Sequence, residues 1–157
     1  MDITIVCDYR SEDIKGLPLE DLAVFVLRHE QQPDTTEVSI TFVPDDRIAS
    51  LNHTYRNVDG PTDVLSFECD GFDDDFDDGH SEDEPFELGD IIIAPDVADR
   101  QKSEYGTSFA EEIETLLTHG LLHLCGHDHQ TDREAEQMLA LQDALLDEWK
   151  VTYEARR

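Results

Sequence analysis

Polar and apolar residues alternate along Glu37–Val43, with Val38, Ile40 and Phe42 on one side, which is the period of a half-buried strand. Ile3–Cys7 has the same alternating, β-rich character and predicts a first strand. Between them, Leu19, Leu22, Phe25 and Val26 recur at helical spacing from Pro18 to His29, with the proline near the first turn. A helix is predicted from Pro44 onward, carrying Ile48, Leu51 and Tyr55 on one face with Asn52 beside them. Asp59-Gly60-Pro61 then signals a turn, and Asp63–Phe67 reads as a short strand.

The second half is more helical. Leu88–Ala94 contains Ile91-Ile92-Ile93, a continuous apolar run of the kind found in a buried strand. Asp96–Tyr105 predicts a helix that stops at Gly106. Ser108 followed by Glu111 forms a capping box that opens the next helix, which runs to Cys125 and ends at Gly126. Thr131 and Glu134 repeat that signal before a last helix with Met138, Leu141, Leu145 and Trp149 on its apolar face. Four strands and about five helices, not strictly alternating, predict an α+β fold: a small mixed four-stranded sheet packed with helices. No repeat and no linker divides residues 1–157, so a single domain is expected.

Charge changes the picture in one segment and one partner class. The formal net charge is -28, and Glu68–Asp90 holds twelve acidic residues with no lysine or arginine. Within it, Cys69–Phe86 is too charged to pack and is expected to be a surface loop. A chain this acidic repels nucleic acid at low salt, and molar salt would shrink that repulsion to a range of about 3 Å. Adaptation to a salty cytoplasm is one explanation of the bias. Three scattered cysteines, Cys7, Cys69 and Cys125, make no disulfide framework and suit a reducing cytoplasm. No basic, apolar leader opens the chain and no stretch is long enough to span a bilayer, so neither secretion nor a membrane partner is expected.

The chemistry is concentrated in His119-Gly-Leu-Leu-His123-Leu-Cys-Gly126-His127-Asp128-His129. Residues four apart stack on one helix face, so His119 and His123 can reach a single ion. Gly126 ends the helix and turns the chain back, which can bring His129 round as a third ligand. Three neutral nitrogens and an open fourth position are the pattern of a catalytic zinc site. Unpartnered imidazoles on a helix lined by Leu116, Leu117, Leu121 and Leu124 would otherwise be costly to bury. His127 is an alternative ligand, less well aimed because it directly follows the glycine. Asp128 can orient a ligand imidazole or serve as a plain turn residue.

The same spacing fits the frame of metzincin proteases, in which a glutamate after the first histidine is the general base. Gly120 stands there instead, so peptide hydrolysis by that route lacks its base. Arg56, at a helix end, can pair with Asp59 or grip a phosphate bidentately.

Leu51-Asn52-His53-Thr54-Tyr55-Arg56-Asn57-Val58-Asp59-Gly60-Pro61-Thr62-Asp63-Val64-Leu65-Ser66-Phe67, then Leu88-Gly89-Asp90-Ile91, then the histidine segment, occur in that order. In this they resemble the YbeY family of bacterial metal-dependent endoribonucleases. The resemblance covers nearly the whole chain. It implies an α+β fold, one Zn²⁺ ion on His119, His123 and His129, and a functional arginine at Arg56. It also implies a single-strand endoribonuclease in small-subunit ribosomal RNA maturation and ribosome quality control, with ribosomal RNA and the small subunit or its assembly factors as partners. The base stays unassigned among Asp63, His127 and the hydroxide on the ion. Glu68 stands where the family commonly has proline, and His127 where tyrosine is frequent; the acidic loop is also longer than usual. A metalloprotease and a non-catalytic zinc-containing ribosome-assembly factor are the competing readings.

Overall fold

The computed structural model describes residues 1–68, 86–127 and 131–155. Its strands are β1 (Asp2–Val6), β2 (Thr36–Phe42), β3 (Val64–Glu68) and β4 (Phe86–Ile93). Its helices are α1 (Ser11–Ile14), α2 (Leu19–His29), α3 (Asp45–Arg56), α4 (Pro95–Tyr105), α5 (Phe109–Leu124) and α6 (Asp132–Ala155). The expected α+β class holds. The four-residue α1 carries no periodic signal and is additional to the expected helices. Most of the expected acidic loop, residues 69–85, lies outside the described residues, but Phe86 does not belong to it: it begins β4, opposite Thr36.

The strands lie in the order β1-β2-β4-β3. The first three are mutually parallel, and β3 runs antiparallel to β4 with Val64 opposite Ile93. Alternation along β2 buries Thr36, Val38, Ile40 and Phe42 toward α2 and α5, as the period-two pattern predicts. Along β3 the two sets part: Val64 packs into that main core, while Leu65 and Phe67 join Ile48 and Leu51 of α3 on the other face. Helix α3 therefore covers the sheet at the β3 edge, and the rest of that face carries Asp2, Thr4, Glu37, Ser39 and Asp90 around a shallow polar depression.

Helix α5 is the central element. It contacts α2, α4, α6, β3 and β4. The capping box that opens it is complete: Ser108 Oγ accepts from the Glu111 amide at 3.1 Å, and Glu111 Oε1 accepts from the Ser108 amide at 3.0 Å. Such a cap contributes about 1 kcal/mol. Ile113, Leu117, Leu121 and Leu122 are fully buried, each side chain contributing roughly 1.5–3 kcal/mol. Glu112, also buried, accepts a 2.6 Å hydrogen bond from Thr107. The last helix is capped by Thr131, whose Oγ1 accepts from the Glu134 amide at 3.1 Å. It seats Met138, Leu145 and Trp149 in the core, Trp149 packing between Phe25 and Tyr153.

A bulge near the start of β4 completes the frame. Glu87 stands opposite Glu37 and Gly89 opposite Val38, so Leu88 is the extra residue and turns inward. Gly89 has φ +152°, and a Cβ there would lie 2.3 Å from the Phe67 carbonyl oxygen and 2.9 Å from Leu124 Cδ2. The glycine lets β3, β4 and the end of α5 meet.

Candidate metal and substrate cleft

Two imidazoles break the apolar surface of α5. His119 and His123, both half-buried and one turn apart, line a cleft of about 650 Å³. The opposite walls are Tyr55 and Arg56 from the end of α3, Thr62 and Asp63 from the following loop, and Val64–Phe67 of β3.

The loop reaches the cleft because Asn52 holds it. Asn52 is buried on α3, and its Nδ2 donates to the Gly60 carbonyl at 2.9 Å. Asn57 takes the left-handed conformation that ends the helix, at φ 58°. This side-chain tie and sharp stop leave Arg56 at the cleft mouth and deliver Asp63 to its wall. Asp63 accepts a 3.3 Å hydrogen bond from Gln101 Nε2 of α4, and its backbone carbonyl accepts from the Ala94 amide.

Arg56 does not pair with Asp59. Asp59 is taken by His53, at 3.1 Å. The exposed Arg56 guanidinium has no ion-pair partner among the described residues, which leaves it available to an anion in the cleft.

The ring of His119 is set from an element the sequence did not implicate. Its Nδ1 lies 2.9 Å from Oε1 of Gln142, a buried residue of α6. With an amide oxygen as acceptor, Nδ1 carries the proton and Nε2 keeps the lone pair that a metal ligand needs. A signal was present: Gln142 occupies the apolar register of α6, four residues after Met138 and three before Leu145. Replacing Gln142 by leucine should leave the fold intact and weaken the hold of His119 on a divalent cation by about 10- to 100-fold, as measured by chelator competition.

His127 is differently placed. Its Nε2 pairs with Glu30 Oε1 at 2.5 Å, at the end of α2, and it does not line the cleft. His129 and Asp128 lie outside the described residues. Among the described residues no group of three or more potential ligands converges. His119 and His123 nevertheless suit a divalent cation: both are imidazoles one turn apart facing one cleft, and the ring of the first is held from behind by Gln142.

Gly120 also gains a physical account. A Cβ there would stand 3.0 Å from Ile91 Cγ2 and 3.1 Å from Ser66 Oγ. This position faces the sheet, and Ser66 donates to the Gly120 carbonyl at 3.4 Å. A glutamate here would crowd the Ile91 and Ser66 side chains of β4 and β3 and be aimed at the sheet, so the position a protease base would need is poorly placed as well as empty of a carboxylate. Next to the site, Cys125 is a half-buried thiol pushed up to about 12 by desolvation first and by the Glu30 carboxylate second, which makes it a poor nucleophile or soft ligand.

Residues 8–150 match the family model described as Endoribonuclease YbeY. A Staphylococcus aureus protein named Endoribonuclease YbeY is 42% identical over 134 residues, 85% of this chain and 86% of its own length. A Macrococcus caseolyticus protein of the same name is 40% identical over 147 residues, 93% of this chain and 94% of its own. The solution structure of a Thermotoga maritima protein superposes with a TM-score of 0.57 at 24% identity, covering 96% of this chain and 93% of that one. That last likeness concerns the fold.

Proposed function

Because the chain belongs to the YbeY endoribonuclease family, we propose that it hydrolyses phosphodiester bonds in single-stranded RNA, with one Zn²⁺ ion held by His119, His123 and His129. The observation that carries this reading is the meeting of His119, His123, Arg56 and Asp63 in one cleft. When bound, the ion supplies Lewis acidity at a phosphoryl oxygen and lowers the pKa of water toward about 7.

The chain's own residues supply the rest. Arg56 grips the phosphate and offsets the charge that builds in the transition state. Asp63, the one carboxylate among the described residues that line the cleft, takes the proton from the attacking water; its hydrogen bond from Gln101 keeps it aimed. His127 is tied to Glu30 and leaves that role to Asp63. Gln142 holds His119 in the ligating tautomer.

The cellular role that fits this family is maturation of small-subunit ribosomal RNA and ribosome quality control. It implies cytoplasmic work with ribosomal RNA and the small subunit or its assembly factors as partners. No helix among the described residues is long and apolar enough to cross a membrane. Purified protein assayed at high salt should cleave single-stranded RNA, and Arg56→Ala should lower kcat by on the order of 10²- to 10³-fold. Asp63→Asn should lower kcat by on the order of 10²- to 10⁴-fold. A strain lacking the gene should accumulate small-subunit RNA precursors with unprocessed ends. Wild-type ends in that strain would remove the cellular role, and equal cleavage by wild type and Arg56→Ala would point to a contaminating nuclease.

A further inference from the structure

We propose that Tyr55, braced by Phe67, is a stacking platform for an unpaired RNA base beside the phosphate held at the metal cleft. This rests on the endoribonuclease reading above and names how that site binds its substrate.

Tyr55 follows Ile48 and Leu51 in the apolar register of α3, so periodicity alone would bury it. Ile48 is indeed fully buried, but Tyr55 is 64% exposed, at the end of the helix and in the wall of the cleft. Its ring is nonetheless held. Phe67 of β3 lies against it with ring centroids 5.1 Å apart and planes at 64°, an edge-to-face contact that limits rotation and leaves most of the tyrosine surface open. The next residue is Arg56, whose guanidinium has no ion-pair partner among the described residues. A flat ring and a guanidinium that line one cleft can take an unpaired base and a phosphate of the same strand.

Charge gives the second argument. Arg56 is the only lysine or arginine among the described cleft-lining residues, while the whole chain carries -28. Affinity for RNA built on phosphate contacts alone would be small here and would fall with salt. Stacking does not depend on charge, tolerates any base, and is available only when the base face is uncovered. A platform of this kind lets an acidic protein hold RNA and selects unpaired segments over duplex, whose bases are already stacked.

The test uses the full-length zinc-loaded protein and a short unpaired RNA carrying 2-aminopurine, alongside the same RNA with one abasic position next to the cleaved bond. Tyr55→Ala should weaken binding of the intact RNA by on the order of 5- to 150-fold. The loss should fall mainly on KM, and the slope of log Kd against log salt should stay unchanged. Tyr55→Phe should recover most of it. The abasic RNA should bind wild type and Tyr55→Ala alike. If wild type neither binds nor cuts RNA, the functional reading falls and the platform falls with it. If wild type binds and cuts but Tyr55→Ala stays within about twofold of it, or loses the same factor on both RNAs, the platform alone is overturned.

Discussion

His123→Ala is expected to emerge from purification folded, depleted of zinc and slower at cutting RNA by on the order of 10³-fold or more, the equivalent of about 4 kcal/mol of transition-state stabilisation. His123 is half-buried, and its loss opens no large void in the core of α5, so thermal unfolding should change by only a few degrees. The metal is another matter. A catalytic zinc site commonly has three protein ligands, and removing one leaves two nitrogens to oppose the ion's hydration. Elemental analysis of protein prepared without chelator should therefore find much less zinc than in wild type. His127→Ala is the internal control: it loses the contact with Glu30 but no cleft-lining group. It should keep its zinc and stay within a few-fold of the wild-type rate. Should His123→Ala retain both metal and rate, the ion is held elsewhere and the proposed chemistry has no seat.

Much of this site was legible because its signals are local. The alternation along Glu37–Val43, the capping boxes at Ser108 and Thr131, and the four-residue spacing of His119 and His123 each reflect one element's own geometry. What escaped depends on pieces distant in sequence. Gln142 reaches His119 across 23 residues because α6 crosses α5, and only an amide out of place in an apolar register hinted at it. The strand order β1-β2-β4-β3 is not encoded in any one strand. Arg56 had Asp59 within local reach, yet His53, one turn earlier on the same helix, takes that carboxylate. Periodicity assigned Tyr55 to the core because it reads the helix and not the edge of what the helix covers.

Gly120 shows the same division. Its chemical meaning, a missing base, could be read from a motif frame. Its structural meaning came only with the sheet behind it: α5 lies so close to Ile91 and Ser66 that any side chain would have to push theirs aside. The close approach brings His119 and His123 level with β3, and hence with Asp63 and Arg56. Packing and chemistry meet in a residue without a side chain.

The largest stability effect is expected one strand away, from Gly89→Ala. Two penalties coincide there. A φ of +152° is a backbone conformation that residues with a Cβ rarely adopt. The added carbon would also sit 2.3 Å from the Phe67 carbonyl oxygen and 3.2 Å from Glu68 Cα, both backbone atoms of β3 that no rotamer change can move. Relief requires β3 to shift away from β4, breaking pairing near Glu68–Gly89 and displacing Phe67 from the cleft wall. Together these should cost about 3 kcal/mol or more, a fall in Tm of roughly 6–12 °C at about 2–4 °C per kcal/mol for a chain of this size. Gly16→Ala is the matched control. It meets nothing within 4 Å and has no positive φ, so it should be neutral or stabilise by up to about 1 kcal/mol through the unfolded chain. Thermal unfolding followed by circular dichroism separates the two. If both variants melt within a few degrees of wild type, β3 and β4 do not meet as closely as Gly89 requires, and the wall that positions Ser66 and Phe67 opposite the histidines loses its physical basis.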